Sequence, residues 1–530
     1  MTGVSLQKVI TDLENKNLLS LFSMPYPKVL IVSFDGGVWS NLLPISKSGI
    51  MPNLTRILEE GKHGNLESTI PPVTPPAWTA FMTGCNPGKT GVFDFYEYQE
   101  GTYKPALTTS KSIQVPTLWK MLSDNGLKVG VVDVPINYPP PIVNGFIVSG
   151  WERPNNKKVF TYPEELQARL IEKLGDYPIC LRTFDRQGTK DIDFLNNLIE
   201  ITSKVGEAAL WLLETEPTDF FMVHFQTTDI IQHSFWDQIA TLDFNSTNPV
   251  MKKIWEFYKN LDKYLGLIRD RMPSDGTFFL VSDHGFGGVK RRMATNVWLK
   301  ENGYLKLKSD INTQIRTSVK STAIKMVNKI DALARLKNRI KKKAEEDLEQ
   351  RIIVPRANFD PIDYKETKAF SGIGTVYGTI QLNIIGREPE GIVPHKEVDD
   401  IKEEIIQKLK NVRDPLSGDP FIQVIYKKEE IYNGGALNKI PDLIVIPNAA
   451  FYLFAGTNEK ELFHPAHLLS CGNHVKEGIV AINGPHTSTI DLQSPKITDI
   501  VPTILEIFNL KKPSHLDGNS LFVKDLVTKS

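Results

Sequence analysis

Cysteine is scarce in this 530-residue chain, which has only Cys85, Cys180 and Cys471. None falls in a CxxC pair, and any disulfide would leave one thiol over. This excludes a disulfide framework and a cysteine-built zinc ribbon, and it predicts free thiols in a reducing compartment. Net charge is missing too. Lys+Arg and Asp+Glu are both 62, giving a formal charge of zero, so the broad basic footprint of a nucleic-acid polymer binder is not expected. A small anionic substrate stays compatible, because a site can be basic on a neutral protein. No uninterrupted apolar run is long enough to span a bilayer. The start of the chain, MTGVSLQKVITDLENKN, lacks the basic stretch and apolar core of a secretory leader. A cytoplasmic enzyme without a transmembrane segment is the expectation. No internal repeat is visible. Hydrophobic residues make up 41% and charged residues 23%, ordinary proportions for a globular chain, and the length exceeds that of one small domain.

What is present is a series of short apolar runs rich in β-branched residues. KVLIVS at Lys28–Ser33 ends in Asp35-Gly36-Gly37, and similar runs follow at Lys128–Val134, Asp219–His224, Thr277–Ser282, Asp442–Ile446 and Gly478–Ile482. Helical patterns lie between several of them, at Tyr162–Leu174, Leu195–Leu213 and Met251–Met272. Strands alternating with helices predict an α/β fold with a mostly parallel sheet, whose chemistry sits at the carboxyl ends of the strands. The texture changes after Lys306, where ALARLKNRIKKKAEEDLEQRI is charged and helical. The expected division is a catalytic core begun by residues 1–305, a helical insertion or cap at 306–355, a small βαβ-like subdomain at 356–437, and residues 438–530 completing the core.

Aspartate and histidine cluster just past the apolar runs. Asp35 follows the first, and Asp229 and His233 lie one helical turn apart in TTDIIQH. Asp283 and His284 end TFFLVS, with Gly285 next, and His474 precedes the last run. Carboxylate and imidazole together suit zinc, and also manganese. A hydroxyl stands nearby in the pattern: Thr74, stiffened by the prolines of PPVTPP. A free threonine hydroxyl is a poor nucleophile, and coordination to a divalent cation activates it. Trp78 and Lys89 are candidate substrate contacts, the first for stacking and the second for a phosphate, against the plain alternatives of a core ring and a surface lysine. GCNPGKT at Gly84–Thr90 is not a Walker A loop, since three residues rather than four separate its first glycine from the GK pair.

TPPAWTAFMTGCNPGKTGVFDF, VDVPINYPP, SDHGFGG, IIGREPEGIV and DIVPTIL, in that order over most of the chain, resemble the type I phosphodiesterase/nucleotide pyrophosphatase family of the alkaline phosphatase superfamily. They are most similar to its microbial phosphohydrolase/phosphomutase group. The resemblance implies an alkaline-phosphatase-like three-layer αβα sandwich and two divalent metal ions, zinc first and manganese second. It places Asp35, Thr74, Asp283 and His284 on the metal that activates the nucleophile, and Asp229, His233 and His474 on the other. It implies a phosphate ester or diester, possibly of nucleotide type, cleaved through a phosphothreonine on Thr74. Ala77, followed by Trp78, stands where nucleotide pyrophosphatases carry a loop asparagine, which puts the substrate specificity in question. The missing arginine of alkaline phosphatase proper favours a diester over a monoester. Two other functions fit the same residues: a phosphomutase or phosphotransferase using the same phosphoenzyme, and a metal-stabilised binding protein without turnover.

Overall fold

The computed structural model describes residues 27–150, 153, 158–178, 190–308, 361–372, 377–457, 459–466 and 471–523. Most of the expected helical insertion at 306–355 lies outside these residues, as do Cys180 and His467.

The first apolar run forms the strand Val29–Phe34, buried at every position. A strand with no polar face needs cover on both sides, and it has it. Leu30, Val32 and Phe34 face a core built with the helices Trp39–Lys47, Pro52–Glu60, Asp191–Thr215, Thr227–Ile239 and Pro249–Arg269. Val29 and Ile31 face a second core with Thr74–Thr83, Leu118–Asp124 and Ile500–Ile507. The result is the three-layer αβα sandwich. Its central sheet has eight strands. In spatial order the inner five are Thr277–Val281, Val29–Phe34, Phe220–Phe225, Val129–Val132 and Gly145–Val148, all parallel. Glu477–Asn483 and Lys62–Glu67 extend one edge through antiparallel pairings, and Thr161–Tyr162 closes the other.

Leu443–Pro447 looks in sequence like a further strand of this sheet, yet it pairs elsewhere. It lies antiparallel between Gly378–Leu382 and Ile422–Lys427 in a separate four-stranded sheet. The strand–helix–strand order of the small unit is therefore a split one: Gly378–Leu382, the helix Val398–Lys410 and Ile422–Lys427, with a later strand inserted between the two. The helix buries Ile401, Ile405, Ile406 and Leu409 against this sheet's core. Three smaller sheets accompany the eight- and four-stranded ones: Gly285–Gly288 with Gly472–Val475; Phe451–Phe454, Arg291–Ala294 and Phe463–Pro465 together; and Tyr96–Tyr98 with Pro105–Leu107. No helix among the described residues is long and apolar enough to cross a membrane.

Candidate metal centre

The parallel strands deliver the candidate ligands to one end of the sheet. Asp35 follows Val29–Phe34, and the chain turns at once through Gly36 at φ +66°, where a Cβ would also meet Phe286 at 2.7 Å. Phe220–Phe225 leads into the helix bearing Asp229 and His233. That helix is tied to the Asp35 turn: the Thr228 hydroxyl donates to the Asp35 carbonyl at 2.7 Å, and Gln232 Nε2 to the Gly36 carbonyl at 2.8 Å. Thr277–Val281 runs into Asp283 and His284. Gly285 follows because a Cβ there would lie 2.0 Å from the Glu477 carbonyl oxygen; its role is close approach rather than a special φ. His474 stands opposite Phe286 in the adjoining ladder. Thr74 opens the helix Thr74–Thr83, and Pro75 and Pro76 occupy first-turn positions whose N–H groups would have no helical acceptor.

Three imidazoles turn the same edge inward. His233 Nδ1 lies 2.9 Å from the Gly472 carbonyl, His474 Nδ1 3.1 Å from that of Pro72, and His284 Nδ1 3.1 Å from that of Gly285. Carbonyls only accept, so each Nδ1 carries a proton, and Nε2 is the ring atom turned toward the carboxylates. Nε2 of His233 and Nε2 of His474 are 3.0 Å apart, and they lie 3.3 and 3.1 Å from Asp229 Oδ1. His284 Nε2 is 3.4 Å from Asp35 Oδ1, 3.2 Å from Asp283 Oδ2 and 3.5 Å from Thr74 Oγ1. Asp35 Oδ1 and Asp283 Oδ2 are buried without a hydrogen-bond donor. Three Nε2 atoms and buried carboxylate oxygens converging on one space fit a cation, and the carbonyl-anchored Nδ1 groups fit the outer support that ligating histidines usually have.

The electrostatics agree. Burial, reinforced by the charge of Asp35, pushes the Asp283 carboxyl well up, and burial also raises Asp35 against the pull of His224. Burial followed by the neighbouring His474 drives His284 well down. Burial opposes ionisation of Asp229, but the attraction and hydrogen bonding of His233 and His474 hold it well below the usual carboxylate range. Stacked carboxylates that resist ionisation mark a site short of positive charge.

The donor atoms form two candidate metal-binding clusters, Asp35–Asp283–His284 and Asp229–His284–His474, each with its atoms within 4.8 Å of one another. Thr74 adjoins the first through His284, and His233 adjoins the second. The rings of His284 and His474 stack at 3.6 Å between centroids, so the two clusters touch.

Two expected substrate contacts are corrected. Trp78 is fully buried, edge-on to Phe81 and His224, and its Nε1 donates to Asp35 Oδ2 at 3.1 Å. It has no face to offer a substrate and supports a ligand instead. Lys89 pairs with Asp517 Oδ1 and donates to the His515 carbonyl, which commits it to the C-terminal segment rather than to a phosphate. The sequence reading also missed His224. Its Nε2 lies 3.4 Å from Asp35 Oδ2, and its Nδ1 is 3.1 Å from Ser33 Oγ. The available signal was an ionisable residue closing the apolar run DFFMVH. Tyr377, whose hydroxyl donates to the His474 carbonyl at 3.2 Å, gave no local signal.

No curated protein matches the chain. Among solved structures, it resembles phosphonoacetate hydrolase from Sinorhizobium meliloti 1021 in complex with phosphonoacetate, at 16% identity and a TM-score of 0.55 over 90% of this chain and 95% of that one. It also resembles murine ectonucleotide pyrophosphatase/phosphodiesterase 5, an inactive threonine-to-alanine variant in complex with AMP, at 12% identity and a TM-score of 0.50 over 92% and 96%. The human counterpart gives 14% and 0.50 over 94% and 99%. At these identities the likeness establishes the fold, a mixed α/β protein with a mostly parallel central sheet. The family model described as type I phosphodiesterase/nucleotide pyrophosphatase matches residues 29–478, a span that contains every ligand candidate from Asp35 to His474, and the chain belongs to that family.

Proposed function

We propose that the protein is a two-metal phosphohydrolase that cleaves a small phosphate ester or diester through a phosphothreonine on Thr74. The observation that carries this is the convergence of Thr74 Oγ1, the Nε2 atoms of His233, His284 and His474 and the undonated oxygens of Asp35 and Asp283 on one buried space. Asp35, Asp283, His284 and Thr74 would hold one divalent cation, and Asp229, His233 and His474 the other, with zinc or manganese matching the donor set. Bound there, the cations would lower the pKa of the threonine hydroxyl and offset charge on the phosphoryl oxygens.

The chain supplies the rest. The proline-flanked start of its helix fixes Thr74 with little backbone slack, so Oγ1 is aimed before the substrate arrives. Oγ1 gives up its proton and attacks phosphorus in line; the Oγ1–P bond forms as the bond to the leaving oxygen breaks, and that oxygen takes up a proton to depart as the alcohol. A water then attacks the phosphothreonine, releasing the product and restoring the hydroxyl. Phosphonoacetate in one structural neighbour and AMP in another are small phosphorus-containing anions, and a substrate of that size suits the buried position of Thr74.

The test is hydrolysis of p-nitrophenyl phosphate monoesters and diesters by wild type and Thr74→Ala, each after chelation and after re-addition of zinc or manganese. Metal-dependent cleavage by wild type is expected. In Thr74→Ala turnover should fall by about three or more orders of magnitude with metal content retained. Undiminished activity in that variant would sink the assignment.

A further inference from the structure

The three-stranded sheet of Phe451–Phe454, Arg291–Ala294 and Phe463–Pro465 has two unlike faces. Met293, Leu453 and Phe463 pack into the core of the small unit. The register sets Arg292 beside Tyr452 on one side and His464 on the other, and laterally aligned residues share a face of the sheet. Phe454 shares it as well, stacked at 6.4 Å from Tyr452 and edge-on at 5.6 Å to His464. The Arg292 guanidinium lies 4.9 Å from the Phe454 ring centre. One face is therefore apolar core, and the other is aromatic and basic.

That second face leads to the nucleophile. Val73 and Tyr377 pack together, with Phe95 and Tyr452 against them. Val73 immediately precedes Thr74, and the Tyr377 hydroxyl is bonded to the backbone of His474. The wall thus begins one residue from Thr74 and ends at Arg292. Burial pushes the Tyr452 hydroxyl up to about 12, with the charge of Arg292 opposing and that of Asp94 reinforcing, so Tyr452 itself is neutral.

Arg292 differs from its neighbour. Arg291 is ion-paired with Asp414. Among the described residues Arg292 has no ion pair, and its Nε is buried without a hydrogen-bond acceptor. A half-buried guanidinium with an unmet donor costs stability unless an anion meets it, and its planar fork suits a phosphate or carboxylate. In-line attack sends the leaving group away from Thr74, so a wall that starts at Val73 borders the ester arm that stays on phosphorus.

We infer that this face is a substrate subsite: the retained arm of the ester lies along Tyr452 and Phe454 and ends in a second anionic group, a phosphate or carboxylate, held by Arg292. The inference rests on the phosphohydrolase reading above and specifies its substrate class. Two alkyl p-nitrophenyl phosphodiesters test it, identical except that one alkyl arm ends in a phosphate and the other in a hydroxyl. Wild type should favour the phosphate-ended ester in kcat/KM by about tenfold or more, the worth of a charge-assisted contact. In Arg292→Gln that ratio should collapse toward one, mainly through KM, and Arg292→Lys should restore part of it. Unchanged metal content and melting temperature in both variants would exclude a folding effect. A ratio that persists in Arg292→Gln, or a wild type indifferent to the terminal anion, overturns the subsite and leaves the phosphohydrolase intact. Cleavage of neither ester by metal-loaded wild type overturns both.

Discussion

Asp35 shows how much of a candidate ligand's behaviour is set by its neighbours. One of its carboxylate oxygens, Oδ2, receives Trp78 Nε1 and faces His224, while Oδ1 is left undonated toward His284. The arrangement saturates one oxygen and reserves the other. Trp78→Phe keeps the packing against Phe81 but removes one donor, so Oδ2 is left with His224 alone and the carboxylate is held less firmly. The expected result is metal affinity weaker by about 10- to 100-fold, the usual cost of losing an outer-shell hydrogen bond, measured by competition with a chromophoric chelator. If Trp78 instead stacked on substrate, metal affinity would hold and KM would rise for aromatic esters alone; that pattern would restore the role the structure denies it. Asp35, Asp229, His233, Asp283 and His284 stood out as candidates because each follows a strand-like run, where α/β sheets place chemistry, whereas His474 precedes one. The supporting donors did not, because Trp78 and Asp35 meet only through tertiary packing across 43 positions.

Elements were legible where periodicity reports burial and obscure where pairing is nonlocal. The pattern at Leu195–Leu213 sits within the observed helix Asp191–Thr215, and that at Met251–Met272 overlaps Pro249–Arg269 closely. The run at Asp442–Ile446 looked like its neighbours but joined another sheet, since an apolar run states that a strand is buried and says nothing of its partners. Helix contact carries a sharper constraint. Gly206 lets Asp191–Thr215 approach Pro249–Arg269 so closely that an added Cβ would lie 2.3 Å from Cγ and Cδ1 of Tyr264. On helix propensity alone Gly206→Ala gains about 1 kcal/mol. Here the buried Tyr264 ring must shift, and overpacking costs about 1–3 kcal/mol, so the net change is destabilising. A melting temperature below wild type by thermal denaturation is expected, and a rise would mean that the two helices separate without cost.

The whole molecule is closed through its candidate metal centre. The donors come from residue 35 near the start of the described chain, from 229 and 233, from 283 and 284, and from 474 beyond the small unit. His474 also ties the Pro72 carbonyl, two residues before Thr74, to the hydroxyl of Tyr377 in the segment leading to the small sheet. Without a cation, the buried carboxylates of Asp35 and Asp283 have little positive charge to offset their ionisation. A cation that binds the folded arrangement and not the unfolded chain stabilises it by mass action, about 2.7 kcal/mol at a hundred times Kd. Zinc or manganese should therefore raise the melting temperature of chelated protein, with a shift that keeps growing with the logarithm of free metal. Asp229→Asn removes one anionic donor while preserving shape, so its shift at the same free metal should be smaller, as followed by scanning calorimetry. Equal shifts in the two proteins would place the stabilising cation somewhere other than between Asp229 and His474.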